Sequence, residues 1–159
     1  MILGREKILE FVKEKNLIEN FSLDCLGGSG YDLRVNRVYR LKSGSHLDKK
    51  RPEIEEIGFD EFVIRPKEYI LIETIEKINM PCNLVGMILP RSTLFRCGCF
   101  LTTALIDPGF RGSLTIGMKN LSEFDFRFDK SARIAQIVFE IVEGKTRLYK
   151  GRYQGGKVV

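Results

Sequence analysis

The chain has no tryptophan, one histidine and five prolines among its 159 residues. With His46 alone, in the polar stretch Ser43–Pro52, it can build neither a histidine-rich metal site nor a Ser-His-Asp triad. No apolar run approaches the roughly 20 residues of a membrane span. The opening Met1-Ile2-Leu3-Gly4 runs into alternating charge, unlike a secretory leader. A soluble, cytoplasmic protein with no membrane partner is expected. The four cysteines, Cys25, Cys82, Cys97 and Cys99, give one C-x-C pair and two distant singles, which matches no zinc ribbon or finger and predicts buried free thiols. The H-x-E plus P-C-x-x-C pattern of zinc-dependent nucleobase chemistry is also missing, and Pro81-Cys82-Asn83 does not replace it. Long blocks of one charge are absent too: 26 Lys and Arg are interspersed with 21 Asp and Glu, for a net +5. That balance gives little support to a nucleic-acid partner and suits a small anionic ligand.

What is present fits one domain, with 43% hydrophobic residues to fill a single core. Arg5–Lys15 carries Ile8, Phe11 and Val12 at helical spacing between charges, predicting one short amphipathic helix packed on the rest. From Tyr31 onward the pattern changes to short β-rich runs at 31–35, 38–41, 61–64, 69–75, 84–89, 100–106, 113–118, 125–128 and 135–141. Many short strands with turn signals between them predict an all-β sandwich or barrel. The charge-rich stretch Ser43–Ile57, with Asp48-Lys49-Lys50-Arg51, reads as a solvated excursion. Repeats and low-complexity tracts are absent.

Two segments carry chemistry. In Pro90-Arg91-Ser92-Thr93-Leu94-Phe95-Arg96, the planar fork of Arg91 and the hydroxyls of Ser92 and Thr93 supply donors matched to phosphate oxygens. In Ile106-Asp107-Pro108-Gly109-Phe110-Arg111-Gly112, a strand delivers Asp107 to its end and Pro-Gly reverses the chain. Such a carboxylate can orient or deprotonate a water. Phe110 offers an apolar face for a sugar or base ring and no partner for an extra hydroxyl, which disfavours ribose. Turn chemistry alone accounts for either segment. Their order with Ser29-Gly30-Tyr31-Asp32-Leu33-Arg34 upstream, and with Arg133–Phe139 and Gly151-Arg152-Tyr153-Gln154-Gly155-Gly156 downstream, points further.

On these five ordered segments the chain resembles the dUTPase and dCTP deaminase superfamily, above all its archaeal dUTPase-like branch, over nearly its whole length. The resemblance implies a dUTPase-like, jelly-roll type β-barrel with a short N-terminal helix, assembled as a homotrimer with each active site at a subunit interface. It implies a deoxynucleoside triphosphate substrate carrying Mg2+. Asp107 matches the acid that holds the attacking water and contacts the deoxyribose hydroxyl, and Phe110 matches the ring beneath the deoxyribose, where tyrosine is commoner. Arg91, Ser92 and Thr93 match the phosphate-binding turn, and Arg96 an arginine near the site in the deaminase branch. Asp32 matches an acid linked through water to the magnesium, and Gln136 a phosphate-contacting glutamine; Arg133 is an alternative ion-pair partner. Residues 150–159 match a mobile arm in which Arg152, Tyr153 and Gln154 close over the triphosphate.

Two departures bear on the branch. Deaminases carry an essential glutamate in a Thr-Leu-Glu-Leu-like run, and Gly117 of Leu114-Thr115-Ile116-Gly117-Met118 stands in its place. Glycine has no side chain to move protons. Second, Cys97–Ile106 is shorter than in common members, so the base-reading hairpin is altered and Thr102, Thr103, Ala104 and Leu105 are candidates only. The expected activity is hydrolysis of dUTP to dUMP and pyrophosphate. The alternatives are dCTP deamination, alone or combined with diphosphatase activity, and a non-catalytic deoxynucleotide-binding trimer.

Overall fold

The structure, a computed structural model, describes residues 1–159. Helix α1 (Arg5–Lys15) is the amphipathic element the spacing predicts: Ile8 is fully buried while Leu9, Phe11 and Val12 pack against the core from its margin. It ends at Asn16, whose left-handed backbone (φ 51°) lets its N–H donate to the Phe11 carbonyl; asparagine tolerates that conformation where branched residues do not.

The remaining elements, apart from a 3-10 turn at Leu23–Cys25, are β1 (Ile18–Glu19), β2 (Tyr31–Leu41), β3 (Ile54–Ile57), β4 (Glu61–Ile64), β5 (Tyr69–Asn79), β6 (Leu84–Pro90), the short helix α2 (Ser92–Arg96), β7 (Cys99–Thr102), β8 (Leu105–Ile106), β9 (Arg111–Asn120), β10 (Phe126–Asp129) and β11 (Arg133–Ile141). The main sheet runs β7-β9-β5-β2-β11-β6-β8, with β1 on β5 and β3 on β2; β10 and β4 pair separately. Every pairing is antiparallel. The curled sheet forms a half-barrel around a core that includes Tyr31, Ile72, Ile116 and Phe139.

Bulges bend the long strands. The runs 31–35 and 38–41 are one strand, β2, with its register shift between Val35 and Arg37. In β5 the pairing jumps from Glu73↔Thr115 to Lys77↔Ser113. Thr74 closes the gap: its hydroxyl accepts from Leu114 N at 3.0 Å and donates to the Glu76 carbonyl at 2.8 Å. This bulge leaves the Glu76 side chain fully buried, where it takes Arg34 Nε at 2.6 Å, Arg34 N at 2.9 Å and the Tyr31 hydroxyl at 3.2 Å. Burial and the Glu76 charge push the Tyr31 phenol well up. Burial opposes the charge on Arg34, but the Glu76 hydrogen bond and charge outweigh it and hold the guanidinium above its usual pKa.

Several sequence expectations change. Residues 54–57 are not loop but strand β3, paired with β2, because a half-buried apolar residue at each end, Ile54 and Ile57, outweighs Glu55 and Glu56. The run 100–106 splits into β7 and β8 around Thr103-Ala104. The Arg91 turn opens a helix, α2, anchored by buried Leu94. Cys25 and Cys99 are buried as expected, whereas Cys82 and Cys97 are exposed.

Candidate functional site

The Asp107 turn is built as its residues dictate. Pro108 and Gly109 are the central residues, Gly109 takes φ 83°, and Phe110 N donates to the Asp107 carbonyl at 3.2 Å; proline followed by a positive-φ glycine is the requirement of a type II turn. Met80, just after β5, fixes it from behind, accepting from Gly109 N at 3.0 Å and donating to the Phe110 carbonyl at 2.9 Å. Asp107 is therefore held at the surface while Phe110 turns inward.

Both line a cavity of about 280 Å³. Its walls include Ala104 just before β8 and Leu105 at its start, Ser113 and Thr115 on β9, and the chain end. Thr115 Oγ1 is buried without a hydrogen-bond partner, an unsatisfied polar atom behind the cavity wall. Beside it, Ser113 Oγ donates to Glu73 at 2.9 Å, and the other oxygen of Glu73 accepts from the Tyr39 hydroxyl at 2.8 Å. Burial and that carboxylate raise the Tyr39 pKa.

The C-terminal segment forms the remaining wall, with Tyr149, Tyr153, Gly156, Lys157 and Val158. It docks on the turn of its own chain. Tyr149 N donates to the Pro108 carbonyl at 2.7 Å and Gly155 N to the Arg111 carbonyl at 2.8 Å, while the Gln154 amide accepts from Arg111 N and donates to the Gly109 carbonyl, each at 2.9 Å. Tyr149 meets Phe110 edge-on, with ring centroids 5.6 Å apart. Gly112 and Gly156 let the two backbones touch where a β-carbon would collide. Arg152 is exposed, and Gln154 is committed to the turn.

The other predicted residues gather elsewhere. Strand register sets Asp32 beside Gln136, and Gln136 beside Leu89, one residue short of Pro90-Arg91. Asp32 lies 3.5 Å from Arg91 Nε and 3.6 Å from an Arg133 terminal nitrogen, so Arg133 does take up the ion-pair role. Gly30 is small of necessity, since a β-carbon there would come within 2.9 Å of the Gln136 side chain. Ser92 and Thr93 are exposed at the start of α2, and Arg96 lies over the exposed Phe95 ring. None of Asp32, Arg91, Ser92, Thr93, Arg96 or Gln136 lines the Asp107 cavity. Of the hairpin candidates, Ala104 and Leu105 reach that cavity, while the Thr103 hydroxyl is bonded to the Ile88 carbonyl at 2.9 Å.

Sequence reasoning did not find Tyr69, Glu73, Ser113, Tyr149 or Lys157. Each reaches its place through strand register or docking of the chain end. Tyr69 is the most consequential: its hydroxyl occupies the space a β-carbon on Gly117 would need, and Thr102 Oγ1 lies 3.0 Å from that point.

Known proteins share the sequence pattern and the fold. A family profile described as dCTP deaminase-like matches residues 2–142. A protein of Pyrococcus furiosus named dCTP deaminase is 38% identical over 145 residues, covering 91% of this chain and 88% of its own. An Archaeoglobus fulgidus protein named probable deoxyuridine 5'-triphosphate nucleotidohydrolase is 27% identical over 164 residues, covering 99% and 98%. The crystal structure of the 2'-deoxycytidine 5'-triphosphate deaminase of Agrobacterium tumefaciens superposes with a TM-score of 0.74 at 16% identity over 89% of this chain; the chain spans about half, 48%, of that protein. The chain is a member of the dCTP deaminase-like family, within the dUTPase and dCTP deaminase superfamily.

Proposed function

We propose that the protein hydrolyses dUTP to dUMP and pyrophosphate. The observation that carries this is Tyr69 over Gly117: the position at which the resembling deaminases hold a proton-relaying glutamate has no side chain, and a phenol fills its space. Asp107, exposed at the cavity next to the Phe110 ring, remains to act on water.

In this mechanism Asp107 accepts the proton of a water that attacks the α-phosphorus in line. The bond from that phosphorus to its bridging oxygen breaks, and pyrophosphate leaves. Catalysis is positioning and charge neutralisation, with little covalent work for the protein. Magnesium enters as part of the substrate. Asp32, which faces the Arg91 and Arg133 guanidiniums, would be the residue that reaches the ion through water, and the ion would neutralise charge on the triphosphate oxygens. Arg91, Ser92, Thr93 and Gln136 hold phosphate oxygens. Their separation from the Asp107 cavity supports a trimer in which one subunit's basic group serves its neighbour's cavity.

The second reading is dCTP deamination, and the comparisons favour it: the Pyrococcus furiosus relative and the matching family description both carry that name. Incubating the protein with magnesium and each deoxynucleoside triphosphate, and assaying pyrophosphate and ammonia separately, divides the readings. Pyrophosphate from dUTP without ammonia from dCTP is the expected outcome. Ammonia from dCTP overturns it, and binding without either product leaves the non-catalytic trimer.

A further inference from the structure

The charged excursion between β2 and β3 is an ordered hairpin. Lys42 N donates to the Glu53 carbonyl at 2.8 Å and Glu53 N to the Ser43 hydroxyl at 2.9 Å; nearer the tip, His46 N donates to the Lys50 carbonyl at 2.8 Å and Lys50 N to the His46 carbonyl at 3.0 Å. That frame projects Arg51 onto Tyr153, 102 residues away along the chain. An Arg51 terminal nitrogen donates to the Tyr153 hydroxyl at 2.6 Å, and its guanidinium carbon lies 5.6 Å from the centroid of the same ring. Arg51 is half-buried, with no carboxylate inside 4 Å, although Asp48 and Glu53 are close in sequence.

Tyr153 forms part of the cavity wall next to Asp107 and Phe110. The other hydrogen bonds that fasten the chain end all go to residues 108–111, which belong to the site itself. Arg51 is the one fastening from a different part of the barrel. A guanidinium suits this task, because its planar fork can bond a hydroxyl while lying near a ring, which an ammonium does less well.

We propose that Arg51 is a positioning residue that clasps the C-terminal segment through Tyr153 and so keeps the cavity wall closed. Its consequence for substrate affinity rests on the function proposed above; the clasp itself does not. Losing it leaves Asp107, Phe110 and the basic group untouched, so the chemical step persists while the arm opens more often. Substrate is then held more weakly, raising KM more than it lowers kcat.

The test uses full-length protein carrying Arg51→Ala, Arg51→Lys, Tyr153→Phe and the double change Arg51→Ala with Tyr153→Phe. Trypsin cleavage after Lys150 and Arg152 is followed by mass spectrometry without nucleotide, with thermal melts to verify folding. Arg51→Ala is expected to speed loss of the chain end about tenfold, the scale of one charged hydrogen bond. Arg51→Lys and Tyr153→Phe should fall between it and the parent, and the double change should add little to Arg51→Ala. In dUTP hydrolysis, Arg51→Ala should raise KM about three- to tenfold with kcat within about twofold. An Arg51→Ala arm that is cut at the parent rate, or effects of the two single changes that simply add, overturns the clasp. Because proteolysis needs no turnover, it decides the clasp even if the protein yields no pyrophosphate.

Discussion

The Tyr69 hydroxyl lies where a side chain on Gly117 would begin, with Thr102 Oγ1 closing the same space from β7. The contact spans two neighbouring strands, since Tyr69 pairs with Lys119 and leans back over Gly117. A missing acid and a filled pocket are different conditions, and the second is harder to reverse. Gly117→Ala should therefore cost about 1–3 kcal/mol through overpacking. Tyr69→Phe, which removes the clashing oxygen, should return part of that loss in the double variant. Urea denaturation of the four proteins checks this. A stable Gly117→Ala protein would mean that Tyr69 swings away freely.

The buried Glu76 carries a second expectation. Its carboxylate has no exposure and satisfies two donors of Arg34 and the Tyr31 hydroxyl. Glu76→Gln keeps the shape but leaves Arg34 without its counter-charge, and should cost about 3–5 kcal/mol. Chemical denaturation measures it, and a change below about 1 kcal/mol would mean that solvent serves Arg34 as well.

Thiol chemistry should divide the cysteines. Burial pushes the Cys99 thiol up to about 11, with the neighbouring Cys97 adding to it, whereas Cys82 and Cys97 are exposed. At pH 8, iodoacetamide should label Cys82 and Cys97 and spare Cys99. The native state favours protonated Cys99 over the unfolded chain. Its contribution to stability is thus complete below the ordinary thiol pKa near 9.0 and is lost as the pH rises from there through about 11. Denaturation midpoints at pH 8, 9.5 and 11 check the sign, with Cys99→Ala expected to flatten that part of the decline.

Much of the fold was legible because period-2 alternation and Gly-Pro punctuation are local signals. The helix Arg5–Lys15 and strand Glu61–Ile64 agree with expectation to the residue. Strand β3 was hidden because Glu55 and Glu56 give it the composition of a loop, and only its pairing with β2 makes it strand. At the site, Asp107, Phe110 and Ala104 line one cavity because they flank a single hairpin and turn. The Tyr69–Gly117 and Arg51–Tyr153 contacts had no sequence signature, because each depends on register or docking between segments far apart in the chain. For the same reason, docking of the chain end on its own turn could not be read from its glycines. Those residues serve close backbone contact at Gly112 as well as conformational freedom.

Gly30 offers a test of the basic group independent of Asp107. A β-carbon there would press on Gln136 at 2.9 Å. Gly30→Ala should displace that amide and weaken binding of a non-hydrolysable deoxynucleoside triphosphate about tenfold, the scale of one lost hydrogen bond to a charged phosphate. Calorimetry with and without Gln136→Ala checks the route: the two changes together should weaken binding no further than Gln136→Ala alone.

The most direct measurement is the rate of pyrophosphate release from dUTP by Asp107→Asn, set beside the affinity of that variant for a non-hydrolysable analogue. If Asp107 takes the proton from water, kcat falls by about 10²–10⁴ while the dissociation constant stays within a few-fold of the parent. A variant that hydrolyses dUTP at the parent rate contradicts the assignment.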